Sequence, residues 1–407
     1  MKTATSLYLD ILRFGAALAV FFAHYSSGRL SGGLFWQVQD YGHLAVMTFF
    51  VLSGLVIAYS AETKERTLHV YCVSRLSRLY SVVVPAVFLT IALDSIGTRV
   101  APQLYTADWG FDASEPLLRI AMALTFTSEI WFADYQIFSM GPFWSLPFEV
   151  WYYVLFALVL FLPGRKRWLA AALAMLIAGP RILFLLPIWL IGVVVYHSLG
   201  RIHIRRGVGW ALFLGSVAVF ALCQYLDFRD HSRALAETLT SQNLIRLYCQ
   251  ESWNPYDYLV GLLVAASIVG FDAIGDSFTG LLRSMQPAIR WLAGLTFSLY
   301  LFHMPLLLFY KAVSPWPAGD WRNRIFLAVV PLVSVAVLGS ITERRRGALR
   351  RWLARAIPDA GRWPVMGRKP ASVARVPRPL PAAAFAVSVQ QRGRGYALGS
   401  SDAPGSD

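Results

Sequence analysis

Charge is scarce in this chain. Asp, Glu, Lys and Arg make up 15% of its 407 residues, against about a quarter in ordinary globular proteins, which excludes a soluble domain with a solvated surface all round. Acids are the scarcer sign, 23 against 37 bases. Cysteine is almost missing. Cys72, Cys223 and Cys249 lie far apart without metal-ligand spacing, so neither a disulfide framework nor a zinc site is expected. The alternating runs of about ten residues that build a membrane barrel are absent. No internal repeat stands out, which weighs against a transporter assembled from duplicated halves.

What the chain has instead is apolar length. Hydrophobic residues reach 57% and the mean hydropathy is +0.52. Runs of about 20 apolar residues recur, the length that crosses a bilayer as a helix. The expected fold is therefore all-α and polytopic, with about ten transmembrane helices at 7–25, 43–60, 79–97, 143–162, 168–180, 182–199, 209–227, 257–271, 291–310 and 324–342. Segment 168–180 is short for a full crossing. Met1 and Lys2 precede a first run broken by Asp10 and Arg13, with no small-residue cleavage site after it, so it reads as a retained helix and not a removable signal.

Basic residues set the orientation. Arg66, Arg75 and Arg78 follow the second span, Arg165 to Arg167 the fourth, Arg201, Arg205 and Arg206 the sixth, Arg283 and Arg290 the eighth, and Arg344 to Arg346 the tenth. All fall on one side if ten spans begin inside, which places both termini in the cytoplasm. The formal charge of +14 first resembles that of a nucleic-acid binder. Its position excludes nucleic acid as the partner and points to the bilayer. Beyond Glu343 there are thirteen Lys and Arg against three acids, so +10 of the charge sits in one segment after the last span. Residues 1–343 thus form the membrane domain, 344–357 a basic juxtamembrane helix, and 358–407, rich in Ala, Pro, Gly, Ser and Arg, a disordered cytoplasmic tail. The outer segments differ: 98–142 and 228–256 mix acids and amides with Trp and Tyr, a composition suited both to an interfacial belt and to hydrogen bonding with sugars.

Several spans carry groups that a membrane anchor would exclude. An Asp or Arg at the centre of a span costs about 3 kcal/mol on insertion scales, so its presence asks for a function. In the first span Arg13 and His24 are eleven positions apart, close to three turns. They share a face and stand roughly 16 Å apart along the axis. The second span contains Phe49-Phe50-Val51-Leu52-Ser53-Gly54, whose small residues allow close helix approach. Arg75 and Arg78, three apart at the start of the third span, offer guanidiniums to a polyphosphate or anchor the helix end. The fourth opens on Trp144-Ser145-Leu146-Pro147-Phe148-Glu149 and continues to Tyr152, with Ser145 and Glu149 one turn apart. The ninth holds Ser298-Leu299-Tyr300-Leu301-Phe302-His303-Met304-Pro305, where an inter-helix hydrogen bond from His303 is the expected role.

In this order the five islands resemble the acyltransferase-3 family of integral-membrane acyltransferases, over about residues 5–345. Arg13 and His24 match its first-helix pattern of arginine, ten residues, histidine. Phe49 to Gly54, Arg75 with Arg78, Trp144 to Tyr152 and Ser298 to Pro305 match its other elements. Four positions depart from the pattern: Met47 stands where an acid is common, Pro147 and Phe148 where a small residue precedes the acid, and Arg345 where a proline often follows Glu-Arg.

The resemblance implies an O-acetyltransferase that moves an acyl group from cytoplasmic acetyl-CoA or another acyl-CoA to a hydroxyl of a carbohydrate. O-antigen, exopolysaccharide or a lipid-linked glycan would serve as acceptor, in a bacterial inner membrane. His24, Glu149 and Arg13 would be catalytic, Arg75 and Arg78 would hold the cofactor's phosphates, and Ser145, Tyr152 and Asp10 would bind substrate. No metal is expected, and a homo-oligomer is compatible with this reading. Direct transfer and a route through acyl-histidine are both open. A channel or transporter relaying ions through Asp10, Arg13, His24 and Glu149 is the rival, which leaves the paired arginines unexplained.

Overall fold

The computed structural model describes residues 1–107, 111–242, 244–245 and 253–357, with the side chains of 343 and 344 excepted. The expected tail, 358–407, and Cys249 lie outside the described residues. Within them there is no strand, and the helices are α1 (Thr3–Tyr25), α2 (Gly28–Ser31), α3 (Tyr41–Thr63), α4 (Leu68–Val100), α5 (Pro116–Thr125), α6 (Ser145–Phe161) and α7 (Lys166–Ala178). The second half comprises α8 (Pro180–Ser198), α9 (Arg206–Tyr225), α10 (Phe228–Leu239), α11 (Tyr256–Ile274), α12 (Thr279–Ser284), α13 (Gln286–Val313) and α14 (Trp321–Ala356). The chain is an all-α polytopic membrane protein.

Nine helices among the described residues are long and apolar enough to cross a bilayer. They coincide with nine of the ten expected spans; the tenth, 168–180, is the 13-residue α7. At 1.5 Å per residue α7 rises about 20 Å, short of the ~30 Å hydrocarbon core. It nevertheless carries the chain back to the face that α6 left. The loop before α6 meets the far end of α7, with Trp131 donating from its backbone to Ala178 O (3.1 Å) and from its indole to Leu176 O (2.7 Å). Gly179, at φ 81°, then turns the chain directly into α8. Such a backbone conformation favours glycine.

The core is built around α1, which packs against α3, α11 and α13; α13 in turn meets α4 and α14. Lipid-facing surfaces are apolar: on α14 the exposed Ile325, Val329, Val333, Val337 and Ile341 recur every four residues, the stripe a helix shows to hydrocarbon. The basic segment expected as a separate element from 344 is instead continuous with the last span in α14. Thr67 Oγ1 caps α4 by accepting from Val70 N (3.3 Å), and Asp320 caps α14 by accepting from Arg322 N (2.8 Å).

The tightest helix contact is between α3 and α8. Gly54 meets the Trp189 carbonyl and Gly192 meets the Val51 carbonyl, so closely that neither site has room for a Cβ. The expectation of close approach at Ser53-Gly54 therefore holds, with α8 as the partner. Both backbones are buried against each other, and neither can retreat without opening the cavity that α3 lines. Gly192→Leu is expected to lower thermal stability in detergent by several degrees, an overpacking penalty of about 1–3 kcal/mol. Leu190→Ala, on the exposed side of α8, should change it little; fluorescence-detected size-exclusion melting curves compare the two.

Candidate active site

Both ends of α1 are tied down by side chains from distant helices. At its start Asp10 forms an ion pair with Arg290 of α13, and Arg290 also donates to Ser6 Oγ (3.0 Å). At its end Tyr25 OH donates to Arg324 O (2.8 Å), while Asn323 and Arg324 donate to the carbonyls of Leu30 and Ser31. The helix is thereby fixed along its axis, and Arg13 and His24 with it.

Arg13 faces an inner cavity of about 80 Å³ together with Arg78, Glu149, Tyr153, Ser145 and Ser53. Phe49, Phe50 and Phe297 form its apolar wall. Tyr153 OH donates to the Glu149 carboxylate and lies 3.2 Å from Ser53 Oγ, which accepts from Trp189 Nε1 (3.2 Å). The two cations therefore outnumber the one carboxylate lining the cavity. Arg13 lies 3.9 Å from Asp10, but the Arg78 guanidinium makes no hydrogen bond or ion pair with a described residue. This cavity attracts an anion, and Arg78 is its unspent donor.

His24 faces a second, larger chamber of about 840 Å³ on the other end of α1, with Arg29, Asp40, His43, Gln136 and Trp144 around it. His43 is held by Asp257 at 2.9 Å and stacks on Trp144. The nearest ring to His24 is His303, with centroids 5.3 Å apart. His303 Nδ1 sits 2.9 and 2.8 Å from the carbonyl oxygens of Leu299 and Tyr300. Two carbonyl acceptors require that Nδ1 carry the proton, which leaves the buried, unpartnered Nε2 as a lone-pair acceptor. The expected inter-helix bond is thus replaced by one within α13.

One side chain lines both spaces: Tyr300. Its hydroxyl donates to Pro142 O (2.7 Å) and accepts from Ser145 Oγ (2.5 Å). This seam of Ser145, Tyr300 and Pro142 separates the Arg78–Glu149 cavity from the His24 chamber.

The expected site residues therefore divide. Arg13, Arg78, Glu149 and Ser145 meet in the inner cavity, and His24 opens the outer chamber. Arg75 is not beside Arg78 in the cavity: it is buried in an ion pair with Glu65, which also accepts from Ser74 Oγ (2.5 Å), and lies over the rings of Tyr71 and Tyr153. Residues three apart on a helix diverge by roughly 60°, enough to send one arginine to an internal acid and the other to the cavity. Tyr152, expected to bind substrate, is fully buried and donates to Ile182 O (2.7 Å); Tyr153 occupies the cavity position instead. Asp10 is engaged with Arg290 and does not line the cavity. Met47, at the departing position, is packed into the core. Tyr300 was legible only as part of an island, without its role.

A third cavity, about 560 Å³, lies under the loop between α5 and α6 and shares Gln136, Gly141 and Trp144 with the His24 chamber. Of this outer segment, Pro116–Thr125 is helical, as α5. Beyond it Glu129 is buried beside Arg181 Nη1 (3.5 Å), and Arg181 also reaches Asp134 (3.7 Å). Burial and the neighbouring Asp134 push the Glu129 carboxyl up to about 8, against the opposing pull of Arg181. Because that value lies above the ordinary carboxylate range, the stability it confers is full below that range and is lost as pH rises through about 8. Melting temperatures are expected to fall between about pH 5 and 9, and Glu129→Gln should flatten that slope.

Removing one partner of the buried Arg75–Glu65 pair leaves an uncompensated charge, at a cost of about 3–5 kcal/mol. Arg75→Ala and Glu65→Ala should each lower the melting temperature strongly, and the double variant by less than their sum. An additive double variant in a thermal double-mutant cycle would show that the pair is not coupled.

The family model described as an acyltransferase domain matches residues 6–342. Comparisons with curated proteins and with solved structures give no match.

Proposed function

The chain belongs to the acyltransferase-3 family, and from that premise we propose that this membrane acyltransferase moves an acetyl group from cytoplasmic acetyl-CoA to a hydroxyl of a glycan beyond the bacterial inner membrane. One arrangement supports this reading most. A single helix carries a cation into one cavity and an imidazole into another, and the two cavities share the wall formed by Tyr300. A reaction that takes its donor from one face and its acceptor from the other needs such a pair of spaces.

Arg78, with Arg13, holds the phosphates of the donor by charge-assisted hydrogen bonds. The inner cavity is far below the 300–1,000 Å³ or so of a typical ligand site, so the pantetheine arm enters only as Tyr300 swings aside. Loss of the Ser145–Tyr300 bond then frees the Ser145 hydroxyl to donate to the thioester carbonyl. His24, as the neutral imidazole, takes the proton of the acceptor hydroxyl. The hydroxyl oxygen bonds to the acyl carbon, the carbon–sulfur bond breaks, and the departing thiolate takes the proton back from His24. His303, through its Nε2 lone pair, orients the His24 ring. Glu149 holds Tyr153 and balances the arginines when the donor is absent.

His24→Ala is expected to abolish transfer of radiolabelled acetyl groups from acetyl-CoA to glycan in membranes while the melting curve stays near that of wild type. Arg78→Ala should weaken CoA binding at least tenfold and leave a truncated pantetheine thioester nearly unaffected. A His24→Ala protein with substantial turnover would remove the imidazole from the chemistry. Equal losses for both donors would remove Arg78 from phosphate binding.

A further inference from the structure

We propose that the third cavity, under the loop between α5 and α6, is the recognition subsite for the acceptor, and that it takes a neutral sugar ring of the glycan next to the hydroxyl that reacts in the His24 chamber. The proposal rests on the acyltransferase reading above and adds the place where the acceptor is read.

Continuity is the first argument. Gln136, Gly141 and Trp144 line both this cavity and the His24 chamber, so a ligand spanning the two spaces passes one common wall. Its volume of about 560 Å³ lies within the range of small-molecule sites.

The second argument is unsatisfied hydrogen-bonding capacity. Ser128 Oγ and Arg181 Nε are buried on this cavity and have no partner. A buried polar group left unpaired costs about 1–3 kcal/mol, and native proteins keep such groups where a ligand or water completes them. Arg181 is otherwise well supported: Nη1 donates to Ala133 O (2.7 Å) and reaches Glu129 and Asp134. Its backbone sits in the first turn of α8, two residues after Gly179. The guanidinium is therefore held in place with its buried Nε–H to spare.

Charge decides the class of ligand. The lining guanidiniums are already matched by acids, Arg119 by Asp112 and Arg181 by Asp134. No net positive field remains to draw a carboxylated or phosphorylated ligand, in contrast to the inner cavity. Hydroxyl, amide and guanidinium groups beside the Trp144 ring suit a neutral polyol, which both donates and accepts hydrogen bonds and offers an apolar C–H face to an aromatic side chain.

The test uses the full chain in membranes, acetyl-CoA as donor, and two acceptors: glycan extracted from the host cells, and glycerol, which is too small to span both spaces. Arg181→Gln and Ser128→Ala are compared with wild type. Ser128→Ala removes a hydroxyl that bonds nothing in the protein, so it preserves the fold even if Arg181→Gln does not. Both variants are expected to raise the half-saturating glycan concentration about fivefold or more, with kcat, the CoA affinity and glycerol acetylation unchanged. Equal losses with glycan and glycerol would make the two residues structural and overturn the subsite, as would an unchanged glycan concentration dependence in Ser128→Ala. Those outcomes leave the acyltransferase reading standing. A wild-type protein that acetylates neither acceptor would overturn both.

Discussion

The axial position of α1 is the constraint on which the rest depends. Arg13 and His24 serve different spaces, so sliding this helix by one turn, about 5.4 Å, would withdraw both at once. The structure prevents that with polar ties at each end: Asp10 to Arg290 at one, Tyr25 to the start of α14 at the other. Asp10 is thus an anchor whose value lies in where it holds Arg13.

Much of this was legible in the chain itself, because helical periodicity converts spacing into direction. Arg13 and His24, eleven apart, face adjoining spaces, and Phe49 to Gly54 does supply both a cavity wall and a close helix contact. Spacing could not say which of two near neighbours would face inward. Arg75 was separated from Arg78 by Glu65, an acid in the short connection before α4 with no signature of its own. Tyr152 and Tyr153 are chemically identical, and only the position of α8 decides that the first bonds Ile182 O while the second meets Glu149. Tyr300 owes its role to Pro142, 158 residues earlier. Contacts at that range leave no local pattern. The outer loop was harder still, since its aromatics and acids match an interfacial belt as well as a site.

The inner and outer spaces differ in electrostatic character as well as in place. Cations exceed acids around the inner cavity, whereas the arginines under the outer loop are matched by Asp112 and Asp134. A polyanionic donor and an uncharged acceptor would each find the complementary side, and neither would compete for the other's place. Arginine fits both settings because its charge persists when buried. Only the company of acids changes what it attracts.

The seam formed by Ser145, Tyr300 and Pro142 has a consequence for the cell's energy supply. Polar spaces reaching inward from opposite faces of a membrane invite a continuous file of water, and with it a proton leak driven by the transmembrane potential, worth about 2.3 kcal/mol per charge at 100 mV. Here the Tyr300 hydroxyl is committed to two partners within the protein, donating to one and accepting from the other. The side chains of this seam stand between the two spaces. A bulky aromatic at this point would oppose such a leak, and a small residue there would open a polar pathway.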